Sequence, residues 1–167
     1  MKKLLEFAKL IGINSVLELE SFKDGPAQTV YMPVPKIICL NKHLPKDEKI
    51  CALAHELGHV INRGKHSVVY ELADEARNVV GNTPDCQIYI SYQHTGIDKK
   101  VRKSVYELIY LDEVKAWESA EELIKFLKVK MPKKFKFYKK AALATYKNQW
   151  TKSLDYTEII DLDRPDF

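Results

Sequence analysis

The stretch CALAHELGHVINRG, residues 51–64, places two histidines four residues apart in a segment that is otherwise mostly apolar. Pro45 followed by Lys-Asp-Glu is typical of the start of a helix, and Gly64 indicates its end. Because residues four apart lie above one another on the same face of a helix, His55 and His59 can present two imidazole nitrogens to one ion. The pattern therefore predicts a helix from Pro45 to Gly64 that carries a pair of metal ligands.

Glu56 adds the chemistry of hydrolysis to this pair. It follows His55 directly and stands about a third of a turn around the helix, where it can reach a metal-bound water rather than the metal. The three residues form the motif HExxH, in which two histidines bind zinc and the glutamate is the general base of a metallopeptidase. The alternative is an apolar helix that merely carries three polar residues, but those side chains would then be buried without partners. We therefore expect zinc on His55 and His59, with Glu56 as the catalytic residue.

A catalytic zinc ion takes three protein ligands and keeps one open position, so a third ligand must come from elsewhere in the chain. Two glutamate-rich segments compete: residues 70–78, with Glu71 and Glu75, and residues 110–123, with Glu113. For each of these acids the ordinary alternative is a solvated helix face, where most glutamates lie. The residues alone leave this choice open.

HELGH after a strand-like segment and a Pro-Lys-Asp-Glu helix start resembles the gluzincins, zinc metallopeptidases whose third ligand is a glutamate on a later helix. The sequence is especially similar to small intracellular zincin-like domains of the IrrE/ImmA type and to related domains of phages and mobile elements. The resemblance covers residues 28–62 and, less closely, 108–127. It implies an α+β, zincin-like fold in which a small mixed sheet packs on the HExxH helix and further helices follow.

The same resemblance bears on the third ligand. In such proteins the glutamate helix often reads Glu-x-x-Ala followed by a polar or aromatic residue, and Glu113-Val-Lys-Ala116-Trp117 fits that pattern. Neither Glu71 nor Glu75 has an alanine three residues later. A small residue suits a helix that must approach the HExxH helix closely. The resemblance therefore implies Glu113 as the third zinc ligand.

One position departs from the family pattern. Some gluzincins carry an aspartate four residues after the ligand glutamate, where it orients a histidine, and this chain has Trp117 there. Metal-bound imidazoles normally donate their second nitrogen to an acceptor, and Asp112 is our candidate for that role. A peptidase also needs a donor that faces the developing oxyanion. The candidates for that donor are Tyr92, His94, Tyr106 and Tyr110.

The rest of the chain is organised around this helix. Apolar spacing and turn residues predict a helix at 2–11 ending near Gly12 and a strand at 16–22. The segment 28–40 is strand-like and contains Pro33 and Pro35, so it is either an edge strand or a strand broken there, with its buried part at 37–40. The later elements are a helix at 67–80, a strand at 87–92, helical structure at 98–130 in one or two pieces, and a basic helix at 133–149. We divide the chain into a zincin-like metallopeptidase domain, 1–130, and a basic helical C-terminal extension, 131–167, that packs on the same domain.

The net charge of +4 conceals a local excess of lysine. Residues 125–140, KFLKVKMPKKFKFYKK, hold eight lysines and no acid, and four aromatic residues lie near them: Phe126, Phe135, Phe137 and Tyr138. Lysines with interleaved aromatics can bind nucleic acid, and an acidic protein partner is an equal alternative. We favour an amphipathic helix whose aromatics face the core and whose lysines face water.

Composition narrows the class of protein. With 46% hydrophobic and 30% charged residues in 167, the sequence is typical of a globular domain. The N-terminal apolar run is interrupted by Glu6 and Lys9, and no window has the about 18 apolar residues of a membrane helix, so we expect neither a signal peptide nor a membrane partner. An odd number of cysteines, Cys39, Cys51 and Cys86, suits a reducing compartment, and we expect a cytoplasmic protein.

These observations predict zinc-dependent hydrolysis of a peptide bond in a peptide or protein substrate. Two other functions remain as alternatives. The first is a zincin fold kept as a non-catalytic module that binds or senses metal, and the second is a nucleic-acid-binding protein that uses the lysine-rich helix at 125–140. Loss of cleavage with retention of zinc in Glu56→Gln would distinguish the peptidase from both.

Overall fold

The computed structural model describes residues 1–20, 29–32, 36–65, 72 and 99–153. The expected helix at 67–80, apart from the helical residue Leu72, lies outside these residues, as does the expected strand at 87–92. The described elements are α1 (Lys2–Leu10), β1 (Ser15–Leu19), β2 (Thr29–Met32), β3 (Ile37–Asn41), α2 (Lys46–Lys65), α3 (Lys99–Phe126) and α4 (Phe135–Ser153).

Local signals place most of the helix boundaries. Helix α1 ends at Leu10, and Gly12 follows with a φ of 85°, a left-handed conformation that glycine adopts without strain. Helix α2 begins directly after Pro45, as predicted, and passes Gly64 by one residue. Helix α3 is one continuous helix of 28 residues.

The sheet is small and mixed, in the order β1-β3-β2. Strand β1 pairs in parallel with β3, and β2 pairs with β3 in the antiparallel sense. Both alternatives for the segment 28–40 apply, because β2 and β3 are separate strands and β2 lies at an edge of the sheet. Central β3 buries Ile38, Cys39 and Leu40 in succession, as a strand covered on both faces should.

The sheet packs on α2, and α3 packs on α2 as well, which confirms the α+β fold expected for the chain. Buried apolar side chains from five elements form one core: Leu4 and Ala8 of α1, Ile38 and Leu40 of β3, Leu53 and Leu57 of α2, Trp117 and Ile124 of α3, and Phe135 of α4. Helix α2 therefore lies at the centre of the described fold. Its motif is held between a sheet and a helix.

Helices α2 and α3 approach each other closely at Gly58. A Cβ atom built on Gly58 would lie 2.1 Å from the backbone oxygen of Ala116, far inside van der Waals contact. Ala116 is itself fully buried. Two small residues thus let the backbones approach, and Glu113 stands one turn before Ala116 on the same helix. The need for a small residue three positions after Glu113 has a structural reason.

Helix α4 corrects part of the sequence prediction. Phe135 is buried and its ring packs edge-on against Trp117, with 5.5 Å between ring centroids. Phe126 and Phe137, by contrast, are 77% and 64% exposed, so the expectation that the aromatics face the core is wrong for these two. Phe137 follows Phe135 by two residues, or about 200° around the helix, and Phe126 is the last residue of α3. The division of the chain at residue 130 stays a prediction.

None of the described helices combines the length and the apolar composition that crossing a membrane requires.

Candidate metal centre

Three side chains from two helices converge at the interface between α2 and α3. The Nε2 atoms of His55 and His59 are 3.2 Å apart. The Oε2 atom of Glu113 lies 3.1 Å from Nε2 of His55 and 3.5 Å from Nε2 of His59. All three residues are buried. Among the described residues they form the one group of histidine, cysteine and acidic side chains that could hold a metal ion.

The three distances fit a tetrahedral metal site. With metal–nitrogen and metal–oxygen bonds of about 2.0–2.1 Å, two ligands of a tetrahedral zinc ion lie about 3.3 Å apart. The observed sides of the triangle, 3.1, 3.2 and 3.5 Å, lie on both sides of this value, so one ion can contact all three atoms. Two imidazole nitrogens that face each other at 3.2 Å can share only one proton between them. The donor set therefore suits a divalent cation.

The spacing on each helix explains the convergence. His55 and His59 are separated by one turn of α2, which puts both rings on the face toward α3. Gly58 lies on that face as well and permits the close approach of Ala116. Glu113 then needs only the length of its side chain to reach both rings.

A neighbouring carboxylate orients His59. The Oδ2 atom of Asp112 lies 3.3 Å from Nδ1 of His59, the ring nitrogen that points away from Glu113. A proton on Nδ1 that points at Asp112 leaves the lone pair of Nε2 free for an ion. Asp112 is fully buried and directly precedes Glu113, so one turn of α3 supplies both a metal-facing group and its support. Asp112 therefore lies within reach of His59, as its candidacy for the acceptor of a histidine nitrogen requires.

Trp117 holds the other histidine in place by packing. Its ring stacks on His55 with 4.5 Å between centroids and 25° between planes. The Nδ1 atom of His55 is buried and has no hydrogen-bond partner in the described part of the chain. Trp117, at the position where some gluzincins carry an aspartate, therefore contributes an aromatic contact. His59 is supported by a carboxylate, whereas His55 is supported by a stacked ring.

The charges of the cluster favour a protonated His59 and an ionised Glu113. Burial lowers the pKa of His59, but the negative charges and hydrogen bonds of Glu113 and Asp112 outweigh it and raise that pKa from 6.5 to about 10. Burial likewise opposes ionisation of Glu113, yet His59 and His55 hold its pKa well below 4.5. Glu113 is thus an anion throughout the neutral range, as a metal ligand must be.

Glu56 is buried on α2 and directly follows His55. Burial is the main cause that raises the pKa of Cys39, and the nearby charge of Glu56 adds to it. Cys39 is the central residue of β3. Glu56 is not one of the three residues whose ligand atoms converge, and on α2 it is offset by about 100° from His55.

Other candidates from the sequence fall into three groups. Tyr110 is half-buried on α3, one turn before Glu113. Cys51 is a buried free thiol, and burial together with nearby Asp47 and Glu48 raises its pKa to about 12, so it packs rather than reacts. Several residues lie outside the described part of the chain, or have side chains outside it: Glu71, Glu75, Cys86, Tyr92, His94 and Tyr106.

Asn62 and Ser119 tie the helices together beyond the cluster, and neither was among the predicted site residues. The hydroxyl of Ser119 donates a hydrogen bond of 2.7 Å to Oδ1 of Asn62, and both residues are buried. Asn62 stands three residues after His59 and so shares its face of α2. That spacing was the signal in the sequence that could have identified it.

Comparison with known proteins identifies the same part of the chain. Residues 15–79 match the family model Peptidase_M78, described as the IrrE N-terminal-like domain. The matched stretch contains β1 to β3, all of α2 and the HExxH motif, whereas Glu113 lies beyond its end. The expected resemblance to IrrE-type domains is thereby confirmed. No curated protein and no solved structure matches the chain.

Proposed function

We propose that this chain is a zinc-dependent peptidase that hydrolyses a peptide bond with Glu56 as general base. The observation that carries the proposal is the triangle of His55, His59 and Glu113, whose sides of 3.1 to 3.5 Å match the ligand spacing of tetrahedral zinc. The match of residues 15–79 to a peptidase family model supports it independently. Glu113 lies outside that match, so its role as third ligand rests on its distances to His55 and His59 alone.

In this proposal His55, His59 and Glu113 would hold the ion as its three protein ligands, the number that catalytic zinc sites use. When bound, zinc supplies Lewis acidity toward a scissile carbonyl and lowers the pKa of water toward 7. Glu113 contributes one negative charge, and the two neutral imidazoles contribute none. The ligand set therefore leaves a net positive site, which suits polarisation of a carbonyl oxygen.

Glu56 moves the protons of the reaction. Its carboxylate takes a proton from the attacking water and later passes it to the nitrogen of the departing amine, so that one group serves both half-steps. Asp112 keeps the proton of His59 on Nδ1, 3.3 Å away, and thereby keeps Nε2 available as a ligand. Trp117 keeps the ring of His55 from rotating out of the site.

The substrate class that follows is a peptide or protein. The free, buried thiols of Cys39 and Cys51 suit a reducing compartment, which supports a cytoplasmic location as part of the proposal. A test of the proposal therefore samples many peptide sequences at once.

The proposal is tested by incubating the zinc-loaded protein with a complex peptide library and reading new termini by mass spectrometry. Glu56→Gln removes the base but keeps the shape of the side chain, and cleavage should fall by about 10²- to 10⁴-fold. Glu118→Gln, an exposed change on α3, is the matched control and should cleave like the wild type. Wild-type cleavage by Glu56→Gln would remove Glu56 from the reaction.

Metal content provides the second half of the test. His59→Ala and Glu113→Gln should lose zinc on dialysis against a weak chelator, whereas Glu56→Gln should keep one zinc ion per chain. A protein that binds zinc at these residues but cleaves nothing would instead be a non-catalytic metal-binding module. Retention of zinc by Glu113→Gln would show that the third ligand is another residue.

A further inference from the structure

The lysine-rich segment 125–140 has exposed side chains that have no role in the proposed peptidase reaction. Seven of its eight lysines are exposed, and Lys139 is half-buried. Outside the segment the chain carries 19 basic and 23 acidic residues, so the positive charge of the protein is concentrated here. We call residues 125–140, with their exposed lysines and exposed phenylalanines, the basic-aromatic surface.

Lysines at the end of α3 and at the start of α4 both act on Glu121. Glu121 of α3 forms an ion pair of 2.8 Å with Lys125. That hydrogen bond is the main cause that lowers the pKa of Glu121, and the charges of Lys139 and Lys136 on α4 lower it further. Lysines from both helices therefore act on the same carboxylate. At the C-terminal end of α3, the Nζ atom of Lys3 lies 2.9 Å from the backbone oxygen of Leu127 and brings a further positive charge.

Two phenylalanine rings stand in solvent within this patch. Phe126 is 77% and Phe137 is 64% exposed, although Phe135 between them in sequence is buried. Helix α4 uses Phe135 and, partly, Tyr138 to pack on the core. Phe137 contacts Tyr138 edge-on, with 5.8 Å between ring centroids. Neither Phe126 nor Phe137 belongs to the core, and each keeps most of its ring in water within a segment rich in lysine. An ordinary solvated helix face would carry polar side chains at these positions.

We propose that the basic-aromatic surface binds single-stranded nucleic acid, with lysines contacting phosphates and Phe126 and Phe137 stacking on bases. A single strand is the partner that uses both features, because its phosphates attract the lysines and its unpaired bases present flat faces to the rings. A duplex keeps its bases stacked, and an acidic polypeptide needs no aromatic platform. An anionic membrane would gain little from two rings, since interfacial binding scales with the apolar area that is buried.

The test measures binding of the full-length protein to a fluorescently labelled (dT)20 oligonucleotide by anisotropy, over a series of salt concentrations. The logarithm of the association constant should fall linearly with the logarithm of salt, by about 0.7 for each phosphate contacted on a single strand. The same measurement uses a 20-base-pair duplex, poly-glutamate and vesicles of phosphatidylcholine and phosphatidylserine. Binding should be tightest to the single strand.

Two sets of variants separate the two kinds of contact. Phe126→Ala and Phe137→Ala should each weaken binding at least about fivefold, with the same salt slope, because a ring releases no counterions. The triple variant Lys133→Gln, Lys134→Gln, Lys136→Gln should flatten the slope by about 2, which is three contacts at 0.7 each. The controls are Leu10→Ala, which removes another exposed apolar side chain, and the triple variant Lys9→Gln, Lys36→Gln, Lys42→Gln. Both controls should bind like the wild type.

All the substituted side chains are exposed or nearly so, and each variant should keep the thermal unfolding temperature of the wild type. Three results would overturn the proposal. They are absence of (dT)20 binding at 50 mM salt, equal binding of single strand, duplex and poly-glutamate with no effect of the phenylalanines, and vesicle binding that depends on the phenylalanines and is not displaced by (dT)20. The last result would assign the surface to a membrane.

Discussion

Charged and aromatic side chains gather in two regions of this molecule, with opposite constraints. At the candidate metal centre, His55, His59, Asp112 and Glu113 are buried between two helices, and each has a polar atom 3.1 to 3.5 Å from at least one of the others. At the basic-aromatic surface, the lysines and two phenylalanines stand in water. Packing fixes the side chains of the first region, whereas the exposed side chains of the second can change conformation when a partner binds.

Burial is what makes the first region chemically specific. Charges taken out of water are costly unless partners or a metal compensate them, so such a cluster persists only in one arrangement. Exposed charges are screened within about 8–10 Å at physiological salt and tolerate substitution. We therefore expect changes in the buried region to alter stability and zinc binding together, and changes at the surface to alter binding of a partner alone.

The largest effect should come from the contact that sets the helix spacing. Gly58→Ala puts a Cβ atom 2.1 Å from a backbone oxygen of α3, so the helices must separate. The free energy of unfolding, measured in urea, should fall by about 3 kcal/mol or more, and zinc affinity should fall with it. Gly12→Ala is the control, because its Cβ meets open space and its φ of 85° alone should cost about 1–2 kcal/mol with zinc binding intact. Wild-type zinc affinity in Gly58→Ala would show that the close approach is unnecessary.

Adding zinc to metal-free protein should give the next largest effect. An ion that binds only the folded chain stabilises it by about 2.7 kcal/mol at a hundredfold excess over the dissociation constant. The unfolding temperature should rise with zinc concentration and return to the metal-free value on chelation. In His59→Ala it should not change with zinc. A zinc response that survives this substitution would place the ion at another site.

The sequence predicted the elements that depend on local rules and missed those that depend on distant packing. Pro45 and the acids after it identify the start of α2, and Gly12 the end of α1, because capping chemistry is local. The order of strands, with β3 between β1 and β2, is set by pairing across the chain and leaves no local mark. Phe126 and Phe137 were expected in the core. The 3.6-residue period puts Phe137 on the outer face of α4 once Phe135 is buried, and Phe126 is exposed at the end of α3.

The residues of the candidate site also divide into those that local spacing predicts and those that depend on how the helices pack. His55 and His59 could be paired from their spacing alone, since one turn of helix joins them. Glu113 is 54 positions beyond His59 in sequence, so only resemblance to a family favoured it over Glu71 and Glu75. The distances of 3.1 and 3.5 Å to the two rings are a property of the packed helices. Gly58 was not a predicted site residue, because its contact with Ala116 exists only in the folded chain.

The pH dependence of the metal centre should show how strongly its charges are coupled. In the metal-free protein Glu113 and Asp112 overcome burial and raise the pKa of His59 to about 10. Zinc must displace that proton, so zinc affinity should rise about tenfold per pH unit from pH 7 to 8.5, as measured by chelator competition. The stability that the protonated ring gives the metal-free protein is complete below pH 6.5 and is lost as pH rises through about 10. A flat affinity above pH 7 would mean that His59 titrates normally.

The smallest effect on stability should come from a solvent-exposed ion pair. Its coupling energy serves as a reference for the buried charges of the metal centre. Lys115 and Glu118 lie on α3 near Asp112 and Glu113, and their charged atoms are 3.0 Å apart, yet both side chains are more than 40% exposed. A double-mutant cycle with Lys115→Ala and Glu118→Ala, followed by urea unfolding, should give a coupling energy of about 0.3–0.5 kcal/mol. Half-molar salt should reduce it further. A coupling above about 1 kcal/mol would show that exposure does not weaken charge pairs on this helix, and the contrast between the two regions would then need another cause.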